Sequence, residues 1–168
     1  VETIIPVTLL FQSGYLTIVD THIDFNQLIF TLKIPNMEVR QALYNKFIFA
    51  YTGLLENRLD FQFHLRKELS SGDVPSLIDT IKRLFASIPW RNFTNNDLAE
   101  YEGYYASVLF AFFASLLVKV IPEDSNNHGQ ADITIILSHH IYVMEVKVVD
   151  NLPEGKNQAL EQIIQRKY

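Results

Sequence analysis

Residues 128–150 read HGQADITIILSHHIYVMEVKVVD, the one stretch that embeds charged side chains in sequence otherwise suited to buried sheet. Asp132 opens the apolar run Ile133, Thr134, Ile135, Ile136, Leu137; after a polar Ser138-His139-His140 turn a second run follows, broken only by Glu145 and Lys147. The pattern predicts two strands, 132–137 and 141–149, joined by a tight turn. Strand side chains alternate between faces, so Glu145 and Lys147 share one face about 6.6 Å apart, while Tyr142, Met144, Val146 and Val148 share the other. Ionised groups in an apolar strand are costly unless paired or bound to metal. An in-register hairpin brings Asp132 near the end of the second strand, where two carboxylates and a lysine converge. Carboxylate oxygens suit a hard divalent cation that keeps water and phosphate as its remaining ligands. A lysine beside them can orient or deprotonate water, or neutralise charge.

Outward from this hairpin, residues 118–122 predict a first strand, which completes one mixed sheet, and Glu123-Asp124 leads into the turn 125–129. Upstream lies the longest predicted helix, 97–117, capped by Asn95 or Asn96. Its stripe of Leu98, Glu102, Tyr105, Leu109, Phe112 and Leu116 places Glu102 on the apolar side. Downstream, 158–168 predicts a helix carrying Gln162. The order is helix, three strands, helix.

Gly129-Gln130-Ala131-Asp132 followed by Glu145-Val146-Lys147 resembles the D…(D/E)xK signature of the PD-(D/E)XK nuclease superfamily. The resemblance covers roughly residues 59–168. It also matches Glu102 with the Tyr104-Tyr105 pair, and Gln162 in ALEQIIQRKY. It implies an α/β fold with a restriction-endonuclease-like core whose last strand is absent from the chain. It further implies Mg²⁺ or Mn²⁺ held by Asp132, Glu145 and the Val146 carbonyl, with Glu102 completing the shell directly or through water. Lys147 would position the attacking water, Gln162 would orient Lys147 or phosphate, and Glu123 would have at most a supporting place. The implied activity is metal-dependent hydrolysis of phosphodiester bonds, with DNA as partner. Two positions depart from the family's pattern: Gln130 stands where a basic residue is usual, and Ala106 where His is frequent. These departures favour the rival reading, a catalytically inactive interaction module that keeps the fold.

The segment before this core reads as a small winged-helix-like α+β unit, with domains expected at 1–58 and 59–168. A helix over 3–13 stops at Gly14, strands 15–20 and 27–34 are joined through 21–26, and Asn36 caps a helix with the stripe Val39, Leu43, Phe47, Leu54. LLFQSGYLTI and IPNMEV resemble the segment that, in one bacterial family, links an AAA-type ATPase-like domain to a C-terminal PD-(D/E)XK domain. This implies an upstream ATPase-like domain of the same protein as partner, since no Gly-rich phosphate loop occurs here. Few basic residues on these helices point to a connector rather than a DNA-docking wing. Two further helices are expected, 59–69 and 75–88, the second with the stripe Ile78, Ile81, Leu84, Phe85, Ile88.

Composition sets the outer bounds. The 168 residues are 48% hydrophobic and 12% aromatic, enough for a packed core. The absence of cysteine removes disulfides, zinc-thiolate sites and Cys nucleophiles, and fits a cytoplasmic protein. The most apolar run, 108–118, is too short to span a bilayer, so no membrane partner is expected. Val1 is not an initiator Met and Tyr168 falls within a predicted helix, so the chain is expected to be a fragment. Net charge is −5, and all of it lies in residues 97–168, with ten acidic and five basic side chains. No basic stripe for phosphate neutralisation is visible in that half.

Overall fold

The computed structural model describes residues 5–89, 101–125, 129–149 and 157–166. These form two compact units, residues 1–45 and 46–168, divided N-terminal of the expected 58/59 boundary.

In the first unit, α1 (Pro6–Gln12) is followed by an antiparallel hairpin of β1 (Thr17–Asp24) and β2 (Gln27–Lys33), then by the start of α2 (Met37–Thr52). This is the expected helix, hairpin, helix order. The expected connection over 21–26 is replaced by a longer β1 and a two-residue turn, Phe25-Asn26, with φ of 43° and 62°. Positive φ at both central residues gives a turn whose twist matches the paired strands. Asn36 caps α2 as expected, its Oδ1 accepting the Val39 N–H at 2.9 Å.

In the second unit the C-terminal half of α2 buries Ile48 and Thr52, whereas Phe47 of the expected stripe is exposed. Helix α3 (Arg58–Ser71) ends at Gly72 in the left-handed region, φ 73°. Helix α4 (Val74–Ser87) begins at Asp73, whose side chain accepts the Ser76 N–H. Of the expected stripe, Leu84 and Ile88 are buried, Ile81 and Phe85 pack against the core, and Ile78 alone is exposed; Leu77 and Thr80 are buried as well, Thr80 donating to the buried Glu68 carboxylate at 2.8 Å. Helix α5 (Glu102–Ser115) packs on α3 and on β3 and β4, and buries eight of its fourteen residues. It starts later than expected: Tyr101 is extended, φ −97° and ψ 105°, so no continuous helix runs from residue 97. The caps proposed at Asn95 and Asn96 lie outside the described residues.

Strands β3 (Lys119–Ser125), β4 (Gln130–Ile136) and β5 (Ile141–Met144) make a three-stranded sheet in the order β3-β4-β5. Every pairing is antiparallel, so the expected mixed sheet is corrected. Phe112, Phe113, Leu65, Leu84, Ile133 and Ile135 are among the side chains that form the shared core. Two tyrosines fasten its edges: the Tyr104 hydroxyl donates to the Tyr51 carbonyl at 2.9 Å and the Tyr142 hydroxyl to that of Leu69 at 2.7 Å. Helix α6 (Gln158–Arg166) follows. Among the described residues, no helix is long and apolar enough to cross a membrane.

Candidate active site

The site is built where β5 stops being a strand. Pairing with β4 ends at Ile133 opposite Met144, so Glu145, Val146 and Lys147 leave the ladder just beyond it. The expected strand to residue 149 is thus cut short, for a visible reason. Backbone donors that a ladder would have satisfied are taken by side-chain carboxylates: Asp132 Oδ2 accepts the Val146 N–H at 2.7 Å, and Glu102 Oε1 accepts that of Val148 at 3.3 Å. Carboxylates thereby hold the site's own backbone in place.

Lys147 lies between two acids, its Nζ 3.1 Å from Glu102 Oε2 and 3.2 Å from Glu145 Oε1. Burial opposes its charge. Hydrogen bonds and attraction from Glu102 and Glu145 outweigh burial and hold its pKa above the ordinary lysine value. The amine is thus held as a positioned positive charge between the two acids. Glu102, the first residue of α5, holds this amine and the Val148 N–H. Gln162 reaches from α6 to Glu145, its Nε2 donating to Oε1, so it orients the glutamate rather than the lysine.

Glu145 is the most enclosed acid of the group. Its side chain is 2% exposed, and Oε2 has no hydrogen-bond partner among the described residues. A buried, ionised oxygen without a donor is costly unless a cation meets it. That orphaned atom fits a hard divalent cation; Asp132 is anchored to the Val146 N–H, and it lines a different cleft from the one that Glu145 lines with Val146 and Lys147. Among the described residues no group of three or more His, Cys, Asp or Glu gathers as a ready cage. Two carboxylates and a carbonyl still suffice for Mg²⁺, which retains several waters.

Structure also accounts for the departing positions. Gln130 Nε2 lies within hydrogen-bond distance of the Glu123 carbonyl, 3.3 Å, and of its Oε2, 3.4 Å; Glu123 itself has φ 50°. The expected supporting acid is thus tied to the residue that replaces the family's basic one. His139 and His140 sit in the β4–β5 turn, where the His140 ring lies against Gly72. Glu145, Val146 and Lys147 line one cleft, and sequence reasoning missed a second, on the Asp132 side, walled by Phe47, Tyr51, Tyr101 and Phe110. The i, i+4 spacing of Phe47 and Tyr51 was its visible signal.

The helix-and-sheet core with this carboxylate–lysine grouping defines a restriction-endonuclease-like domain. Residues 100–168 match the family model of the PD-(D/E)XK nuclease superfamily. Members of the superfamily generally use divalent metals. The chain is also 38% identical, over 160 residues, to a curated Azotobacter chroococcum mcd 1 protein described as "Uncharacterized protein in vnfD 5′region". The match covers 95% of this chain and 31% of that protein, so the chain spans about a third of its relative's length. No solved structure gives a significant match.

Proposed function

We propose that this domain hydrolyses phosphodiester bonds, with DNA as substrate and Mg²⁺ or Mn²⁺ as cofactor. The observation that carries the reading is the orphaned, buried Oε2 of Glu145, whose other oxygen is paired with Lys147. Asp132, Glu145 and the Val146 carbonyl would hold the cation, which when bound lowers the pKa of water and stabilises charge on phosphate. Gln162, donating to Oε1, would hold Glu145 in place for it. Lys147 offers a fixed ammonium to charge developing on the phosphate, and Glu102 positions it. Glu102 would hold Lys147 and the Val148 N–H and would complete the metal shell directly or through water.

A second reading, a non-catalytic interaction module, is favoured by one specific observation: Gln130 is spent on Glu123, leaving no cation where the family usually has one. What the whole protein does with the domain, an upstream ATPase-like partner included, belongs to the same proposal. Incubation of the chain with plasmid DNA in EDTA, Mg²⁺ and Mn²⁺, beside Lys147→Ala, separates the readings. Metal-dependent cleavage lost in the variant supports the nuclease. Equal cleavage by the variant, or cleavage in EDTA, contradicts the mechanism, and silence in every lane favours the module.

A further inference from the structure

We infer that the substrate's bases are unpaired where it meets the site, and that the aromatic cleft on the Asp132 side stacks one of them. This deepens the nuclease reading and rests on it for the role of Asp132. The cleft, of about 320 Å³, is walled by Phe47 and Tyr51 from α2, Tyr101 at the start of α5, and Phe110; Asp132 is part of its lining. That volume is of the size that small-ligand sites occupy. Three of its rings are open to solvent, Phe47 at 37%, Tyr51 at 39% and Tyr101 at 63%. The Phe47 and Tyr51 rings are 6.4 Å apart and inclined by 31°, two rungs of one helical face.

Gly103 gives the cleft a built feature. A Cβ at this position would stand 2.7 Å from Cε1 and Cζ of the Tyr101 ring and 2.9 Å from its hydroxyl oxygen. The missing side chain is thus the seat on which that ring rests.

The chemistry of the lining selects the occupant. Its charged groups are the carboxylates of Glu123 and Asp132, which repel a phosphate but accept hydrogen bonds from the amino edge of a base. Four of its lining residues are aromatic, and stacking tolerates any base sequence. The acidic half of the chain offers no basic track for phosphates, on a duplex or a single strand alike, so the choice between them rests on stacking and base-edge hydrogen bonds. A paired base is stacked on both faces within its helix and cannot present one to Tyr101; an unpaired or extruded base can. With Asp132 in the cleft lining, the stacked base belongs to a nucleotide next to the phosphate under attack.

The test is fluorescence anisotropy of the chain with a labelled single-stranded oligonucleotide of about 12 nucleotides, within the span such folds commonly cover, and with the same strand annealed to its complement. EDTA throughout separates stacking from cation-assisted hydrolysis. The expected result is binding to the single strand about tenfold tighter than to the duplex. Tyr101→Ala and Gly103→Ala should each weaken it about tenfold, the scale of one lost stack, while Tyr101→Phe stays within about twofold. Gly103→Ala displaces the ring while favouring the helix, so a fold defect in Tyr101→Ala does not leave the question open. Duplex bound as tightly as single strand, no binding to either, or unchanged affinity in both alanine variants overturns the inference. Stacking retained in a chain that cleaves nothing would overturn the nuclease reading alone.

Discussion

Replacing Lys147 by methionine removes the ammonium while retaining most of the stem, and the cost can be worked out from its neighbours. The Glu145 side chain is 2% exposed and would keep only Gln162, because its second oxygen already lacks a partner. Breaking a buried ion pair on one side typically costs 3–5 kcal/mol. Lys147 is 27% exposed and Gln162 remains, which places the loss at the low end, about 3 kcal/mol. With a urea m-value of about 2 kcal/mol/M, the unfolding midpoint should fall by about 1.5 M at unchanged slope. Adding Glu145→Gln removes the stranded charge and should return most of that loss, giving a coupling free energy of about 2 kcal/mol in the double-mutant cycle. Glu102→Gln should cost no more than about 1 kcal/mol, because that carboxylate is 43% exposed. The assay is urea unfolding followed by circular dichroism in EDTA. A Lys147→Met loss below about 1 kcal/mol, or strictly additive variants, would refute the described pairing.

Two further outcomes follow from the fold. Burial raises the pKa of Tyr104 and of Tyr142, so each is held neutral in the folded chain. Their contribution is fully present below the ordinary tyrosine range and is lost as pH climbs through the folded values. Tyr142→Phe, which also removes the bond to Leu69, should cost about 1 kcal/mol at neutral pH and flatten the alkaline decline, read by unfolding at stepped pH. In the hairpin, Phe25 is 95% exposed at φ 43°, so Phe25→Asn with Asn26→Gly relieves strain without losing burial. The pair should stabilise the first unit by about 1 kcal/mol, read as increased hydrogen-exchange protection of β1 and β2 amides.

How much of this was visible in the residues alone differs from element to element. Strand β4 announced itself because Ile133 and Ile135 are buried in an unbroken apolar run, and the last turn of α3 because Gly72 is the residue that ends it. The length of β5 was not visible: residues 145–149 look like strand, yet the Val146 and Val148 amides go to Asp132 and Glu102, acids 14 and 46 positions away. Pattern reading sees side-chain period, not the competition of distant carboxylates for backbone hydrogen. The same limit hid the buried Thr80 of α4, which gives its hydroxyl to Glu68 of another helix. Asp132, Glu145, Lys147, Glu102 and Gln162 were all named from the sequence. What it could not supply was their division of labour, with Glu102 on the lysine and Gln162 on the glutamate.

The central claim is a cation site made by Asp132 and Glu145, and calorimetric titration of Mg²⁺ and Mn²⁺ into the metal-free chain tests it most directly. The account predicts saturable binding to wild type that disappears in Asp132→Ala and in Glu145→Gln while circular dichroism shows both variants folded. Undiminished binding in either variant, or no binding by wild type, would contradict it.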